Sequence, residues 1–211
     1  MLGSRFAKRL TYALTAALLL ALGAWAWDHR DYWFANNFRA VEPGRIYAGG
    51  HQYPIPLKRI LQRHHIKTVL SLRRVDDDGE AEEMEVVAAQ GASFRRVSIP
   101  FRVSDAERLA RIEEAVAVLA DPENQPVFVH CWAGMHRTGA VVAVYRVGHC
   151  GWSEQAARAE LKQWCGLTRG EQWTVRVLHE FCSRVVTPPS GQPSSVPSRS
   201  LASEETQPAL R

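Results

Sequence analysis

The run His130-Cys131-Trp132-Ala133-Gly134-Met135-His136-Arg137-Thr138-Gly139 holds a cysteine, five residues, an arginine and then a threonine. It is entered from the apolar stretch Pro126 to Val129 and left through Ala140 to Val144. An apolar strand, a tight loop containing Gly134 and a helix beginning near Thr138 would aim successive backbone N–H groups and a helix N-terminus at one point. A tetrahedral oxyanion fits there. The same amides, the positive helix end and Arg137 favour the thiolate of Cys131, the form in which sulfur attacks. A thiolate beside a bound phosphate implies displacement at phosphorus.

Cys131 would attack in line to give a cysteinyl-phosphate that water then hydrolyses, so that one hard displacement becomes two easier ones. Arg137 carries a planar fork able to hold two phosphate oxygens and to follow the equatorial oxygens as charge spreads in a loose transition state. The departing phenol or alkoxide needs a proton from a positioned carboxyl group. Asp105, 26 residues before Cys131, is the candidate; as a first-turn helix residue it would also interact favourably with the helix dipole. Asp76, Asp77 and Asp78 follow another expected strand end and read as an alternative donor or as a solvated acidic turn.

At these residues the chain resembles the cysteine-dependent protein tyrosine phosphatase superfamily, whose signature is His-Cys, five residues, Arg and then Ser or Thr. The likeness spans residues 40 to 185: Pro43 to Tyr47, Ile66 to Arg73 and Val97 to Pro100 follow the order of compact atypical dual-specificity phosphatases, a group with bacterial members. The resemblance implies a phosphatase-like fold and hydrolysis of phosphotyrosine in proteins, with phosphoserine and phosphothreonine as further substrates. It puts Thr138 where a family hydroxyl helps the sulfur leave; an ordinary helix N-cap is the other reading, and the two roles are compatible. It puts His130 where a family histidine orients the loop, although a satisfied buried imidazole is an equal reading. Trp132, Ala133, Gly134, Met135, His136 and Arg137 become the substrate-binding set. Plant and fungal relatives act on inositol polyphosphates and add Lys or Arg to the loop, where this chain has Trp132, Ala133 and Met135. The other readings are a phosphoinositide or inositol phosphate phosphatase, a phosphate-binding pseudophosphatase, and a sulfur-transfer or arsenate-reducing enzyme.

The formal charge is +4, of which Arg5, Lys8 and Arg9 supply three, while the charges beyond residue 186 cancel; residues 28–186 keep about +1. With no basic stripe carrying interleaved aromatics, nucleic acid is excluded as a partner. Cys131, Cys150, Cys165 and Cys182 show neither the paired spacing of a zinc site nor the density of a disulfide scaffold, so no metal and no cofactor are expected. Cys150, Cys165 and Cys182 read as small core residues or as resolving thiols for Cys131. The expected partner is a phosphorylated protein or a small phosphomonoester.

The positioning elements follow from periodicity. Arg45 to Ala48 reads as a short edge strand ending at Gly49-Gly50, and Thr68 to Leu72, Ser93 to Ile99 and Pro126 to Val129 as further strands. Pro54 to His64 and Glu80 to Gln90, the latter with Met84 and Val87 inward, read as helices. Ser104 and Glu107 make a capping box for a helix in which Leu109, Ile112, Val116 and Leu119 repeat up to Asp121-Pro122. Thr138 to Val147, apolar on nearly all faces, reads as a buried central helix ending at Gly148. Ser153 to Trp164 and Glu171 to Val185 follow, the last burying Trp173, Val177, Leu178, Phe181 and Val185. The fold class is α/β: a central, mainly parallel sheet flanked by helices, binding ligands at the carboxyl ends of its strands.

Residues 10–27 carry no charge, are rich in Leu and Ala, and have Trp25, Trp27, Tyr32 and Trp33 where an interfacial aromatic belt would sit. Residues 1–27 are therefore expected to be a membrane segment. It would give a single-pass protein with Arg5, Lys8 and Arg9 cytoplasmic and the catalytic domain periplasmic or extracytoplasmic. Ala24-Trp25-Ala26 also fits signal cleavage, which would give a secreted product. Residues 28–40 read as a juxtamembrane connector, 41–186 as the phosphatase domain and 187–211, rich in Pro and Ser, as a disordered tail.

Overall fold

The computed structural model describes residues 2–28, 30–75, 77–100, 102–165 and 171–186. In chain order these form α1 (Leu2–Asp28), β1 (Arg39–Glu42), β2 (Ile46–Gly49), α2 (Pro54–His64), β3 (Thr68–Ser71), α3 (Glu80–Ala89), β4 (Ser93–Arg96), α4 (Asp105–Ala120), β5 (Val127–His130), α5 (His136–Cys150), α6 (Glu154–Cys165) and α7 (Glu171–Val186). The strands make one sheet in the order β1-β2-β5-β3-β4, parallel except for β1, which lies antiparallel to β2. Strand β5 is central. Val127 pairs with Ile46 on one side and Thr68 on the other, and His130 pairs with Gly49 and Ser71.

Alternation along the strands sorts their side chains onto two layers. Val127 and Val129, with Ile46, Ala48 and Leu70, pack under α4, α5, α6 and α7 in the larger core, which also holds Leu109, Ile112, Val141, Val144, Leu161 and Leu178. Phe128, with Tyr47 and Val69, faces α2 and α3 and meets Leu57, Ile60, Leu61 and Val87. A strand buried on both faces needs the continuous apolar run seen at Val127-Phe128-Val129. The polar His130 ends that run on the α3 side, and Cys131 belongs to the α5 side.

Four local expectations are corrected. Strand β2 is interior rather than an edge, because the chain turns at Gly44, with φ +81°, and brings Arg39–Glu42 alongside it. In α3 Glu80, Glu83 and Val87 point inward while Met84 is exposed, since the half-buried Arg96 and the buried His130 and Arg73 supply partners for the carboxylates. Helix α5 runs through Gly148, where a Cβ would meet the Phe181 ring at 3.2 Å, and stops at the left-handed Gly151. In α7 Val177 and Leu178 are buried and Trp173 and Phe181 half-buried as expected, but Val185 is exposed, and Thr174 and Cys182 are buried as well.

The expected membrane segment is also corrected. Among the described residues no helix is long and apolar enough to cross a membrane. The uncharged part of α1, Leu10 to Trp27, is 18 residues long and is diluted by Thr11, Tyr12, Thr15, Gly23 and several alanines. A typical span takes about 20 predominantly apolar residues, and alanine adds little transfer energy to such a stretch. The membrane partner through residues 10–27, the single-pass topology and the periplasmic placement all lose their basis. Residues 187–211, expected to be disordered, lie outside the described residues, as does Asp76.

Candidate active site

The loop from Cys131 to Met135 leaves the carboxyl end of β5 and enters α5 at His136. Its outer side is held by donors from the chain on either side of β2. The Trp132 carbonyl accepts from the His51 amide at 2.8 Å and from Asn36 Nδ2 at 3.5 Å. The Ala133 carbonyl accepts from Asn37 Nδ2 at 2.7 Å, and the Gly134 carbonyl from an Arg39 guanidinium nitrogen at 2.7 Å. In a planar trans peptide the C=O and the following N–H point in opposite directions. Fixing three successive carbonyls outward therefore turns the N–H groups of Ala133, Gly134 and Met135 toward the concave side, where the N-terminus of α5 also ends. This is a backbone nest suited to an anion.

Gly134 is needed for this turn on two counts. Its φ is +70°, and a Cβ there would lie 2.3 Å from the Gly49 carbonyl carbon and 2.4 Å from the Gly50 nitrogen. Loop and strand end are thus in backbone contact. Gly134→Ala is expected to cost about 2–4 kcal/mol, combining left-handed strain with overpacking, and to weaken vanadate binding in proportion to loop distortion. Urea unfolding and vanadate titration of the two proteins measure these effects.

The side chains expected to do chemistry are brought together in part. Cys131 is buried at the start of the loop and is a free thiol. Arg137, in the first turn of α5, is buried and donates to the Leu72 carbonyl at 3.0 Å. Thr138 is fully buried and donates to the Gly49 carbonyl at 3.4 Å. The N-terminal residue of α5 is His136, so Thr138 is inside the helix rather than its N-cap. Burial, with neighbouring Arg137, pushes the His136 imidazole below its usual range, which favours the neutral ring. Trp132 is exposed, its indole lying parallel to the His51 ring at 5.5 Å with the Arg73 guanidinium 4.9 Å from its centre.

Asp105 is the first residue of α4, behind Ser104, whose hydroxyl accepts from the Glu107 amide as the capping box predicts. Its carboxylate is bound by Arg176 Nε at 2.7 Å and by Arg108. Hydrogen bonding from Arg176, helped by the charge of Arg108 and opposed by burial, holds its carboxyl below the usual range. Asp105 is thus an ion-paired carboxylate in this conformation. Asp77 and Asp78 meet Arg73 instead, through a carboxylate 3.5 Å from Nε and a backbone carbonyl 2.6 Å from the guanidinium.

Four residues near the loop escaped the reading of the sequence: Arg39, His51, Arg73 and Glu83. Arg39 lies over the Trp164 ring at 3.6 Å. Burial pushes its guanidinium down to about 10, against the pull of Cys131, Glu160 and Cys165, so it remains a cation beside the sulfur. Glu83 lies beneath the loop with Oε1 2.8 Å from His130 Nε2, and its carboxylate also faces Arg73 and His51. The available signal was charge at inward positions of α3, which apolar periodicity does not register. Cys150, Cys165 and Cys182 are free thiols like Cys131; burial, with Glu154, pushes Cys182 up to about 11.

Comparison with known proteins agrees with this geometry. TpbA of Pseudomonas aeruginosa, a dual specificity protein phosphatase, is 37% identical over 107 residues, 49% of this chain and 44% of that protein. An inositol diphosphatase of Arabidopsis thaliana is 39% identical over 113 residues, 52% of this chain and 54% of that protein. The chain spans about half the length of the curated relatives it matches. The crystal structure of P. aeruginosa TpbA superposes with a TM-score of 0.55 at 25% identity, covering 72% of this chain and 92% of that one. The catalytic core of the PP-IP phosphatase SIW14 from S. cerevisiae superposes with a TM-score of 0.59 at 21% identity over 72% and 91% of the two chains, a likeness of fold alone. Residues 44–175, more than half of the chain, match the family described as DSP-PTPase phosphatase fused to NAD+ kinase; the chain belongs to this family, as an atypical cysteine-dependent dual-specificity phosphatase of bacterial type.

Proposed function

We propose that this protein hydrolyses phosphomonoesters through a cysteinyl-phosphate at Cys131, with phosphotyrosine in proteins as its main substrate and phosphoserine and phosphothreonine turned over at the same centre. The observation that carries the reading is the outward fixing of the Trp132, Ala133 and Gly134 carbonyls, which leaves a ring of amides around the mouth of a cysteine and above Arg137. In this reading the amides and the α5 N-terminus hold three phosphate oxygens. Arg137 exchanges its Leu72 contact for a two-pronged grip on the phosphate as charge spreads. The Thr138 hydroxyl stands behind the loop to assist departure of sulfur in the second step. Asp105 supplies the proton to the leaving group once its pair with Arg176 opens.

Two observations favour phosphotyrosine over inositol phosphates. Arg137 is the one Lys or Arg between Cys131 and Thr138, which suits a single phosphate better than a crowded polyphosphate. Trp132 offers an exposed indole, fixed by His51 and Arg73, against which a phenyl ring can pack. Similarity to TpbA supports the same choice. The similarity to an inositol diphosphatase names the competitor to be tested beside it.

The test is a parallel measurement of phosphate release from phosphotyrosine, phosphoserine and phosphothreonine peptides, a phosphoinositide and an inositol diphosphate. Phosphotyrosine peptides are expected to show the highest kcat/KM, by about tenfold, the scale of one well-placed aromatic contact. Activity should survive EDTA and be blocked by vanadate. Turnover confined to the inositol compounds would reject the protein-phosphatase reading, and phosphopeptide binding without release would make the chain a pseudophosphatase.

A further inference from the structure

A group of ionisable side chains lies beneath the phosphate loop, on the face that β5 turns toward α3. The Glu83 side chain is fully excluded from water, with Oε1 2.8 Å from His130 Nε2 and Oε2 3.8 Å from an Arg73 guanidinium nitrogen and 3.9 Å from His51 Nε2. His130 is equally buried, and its second nitrogen, Nδ1, lies 3.3 Å from the carbonyl oxygen of Cys131. Both ring nitrogens therefore face oxygens that only accept. A neutral imidazole has one N–H and one lone pair, so one of these oxygens would meet a lone pair. A ring protonated on both nitrogens presents an N–H to the carbonyl and a positive charge to the carboxylate.

We propose that Glu83 is a positioning residue for the nucleophile: its carboxylate keeps His130 protonated on both ring nitrogens, so that a fixed N–H and a positive charge stand directly behind Cys131 and favour its thiolate. This inference rests on Cys131 being the nucleophile. Around the pair stand Glu83 from α3, which faces His130, Arg73 from the segment after β3, which faces Glu83, and His51 from the segment after β2, which faces both, with the Phe128 ring stacked on His130 at 5.4 Å. Burial alone would raise the Glu83 carboxyl, but His130, followed by His51 and Arg73, outweighs it and leaves the group below its ordinary range. His51 is pushed down to about 4, chiefly by burial, and is neutral at physiological pH. Arg73 pairs with Asp77 on one side and Glu83 on the other. Without the Glu83 charge, a second N–H on His130 would have no buried anion to meet.

Two measurements test the proposal. In the wild-type protein labelled with nitrogen-15 in its histidines, the His130 ring, assigned by its disappearance in His130→Gln, is expected to show two protonated nitrogens near neutral pH; a single-tautomer neutral pattern overturns the inference. In Glu83→Gln, which keeps the shape and one acceptor, the pH midpoint of iodoacetamide alkylation at the Cys131 peptide is expected to rise by about one unit, a tenfold loss of thiolate at acid pH. An unmoved midpoint in a folded variant also overturns it, and if the variant fails to fold the wild-type spectrum decides. Neither readout uses phosphate release. A neutral His130 in an enzyme that still needs Cys131 would reject this inference and keep the phosphatase reading, whereas full turnover without Cys131 would reject that reading itself.

Discussion

Phosphate release by Cys131→Ser is expected to fall by about four orders of magnitude or more, the scale seen when a nucleophile is removed from a site that acts as a unit. Sulfur attacks as a thiolate, whereas a serine hydroxyl needs an adjacent base. The neighbouring His130 is not placed to act as one, because its nitrogens face Glu83 and the carbonyl of residue 131. The cradle itself is backbone and should survive the change. Calorimetric binding of a phosphotyrosine peptide is expected to stay within about tenfold of wild type, 1.4 kcal/mol, while turnover vanishes. Wild-type turnover by the serine variant would dismiss the cysteinyl-phosphate mechanism.

Asp105→Asn is expected to slow hydrolysis of phosphotyrosine peptides by about 10²- to 10⁴-fold, the usual contribution of a positioned general acid. Activated aryl phosphates, whose leaving groups need little protonation, should lose much less. Arg176 gives the sign of a companion effect. Its hydrogen bond is the largest influence holding the Asp105 carboxyl low, so at neutral pH the paired conformer lacks the proton it must donate. Arg176→Gln should raise that carboxyl toward the ordinary range, and the alkaline limb of kcat, which reports loss of the donor's proton, should move upward in pH. If peptide hydrolysis is unchanged in Asp105→Asn, the donor role passes to Asp77 or Asp78, and the pair with Arg176 is a brace for α4 and α7.

What the sequence revealed about this site was whatever is local. Cys131, Gly134, Arg137 and Thr138 are fixed by short-range spacing, and the Ser104 cap by a pattern three residues wide. The helix over Pro54–His64 and the parallel strands around β5 followed from periodicity. Contacts across the fold were not legible. Arg39 reaches the Gly134 carbonyl across 95 positions, and Arg137 reaches Leu72 across 65. Asp105 could be placed at a helix start, but its partner Arg176 lies 71 residues on. Glu83 gave no local signal, because inward charge on α3 becomes sensible only when His130 at the end of β5 and Arg73 after β3 arrive beside it. The membrane expectation fails for a different reason: a charge-free stretch of modest length, diluted by threonines and alanines, is not apolar enough to span.

The donors that hold the loop's carbonyls also set the boundary of any fragment that keeps the cradle intact. Asn36, Asn37 and Arg39 all precede Gly44, where the family match begins. A piece trimmed to that match would retain every residue of the signature and lose β1 with three of the loop's outer hydrogen bonds, leaving the Ala133 and Gly134 carbonyls without the donors that fix them and the Trp132 carbonyl held by the His51 amide alone. The inheritable motif and the working unit are therefore different lengths of chain, and the shortest phosphate-binding piece begins ahead of Asn36.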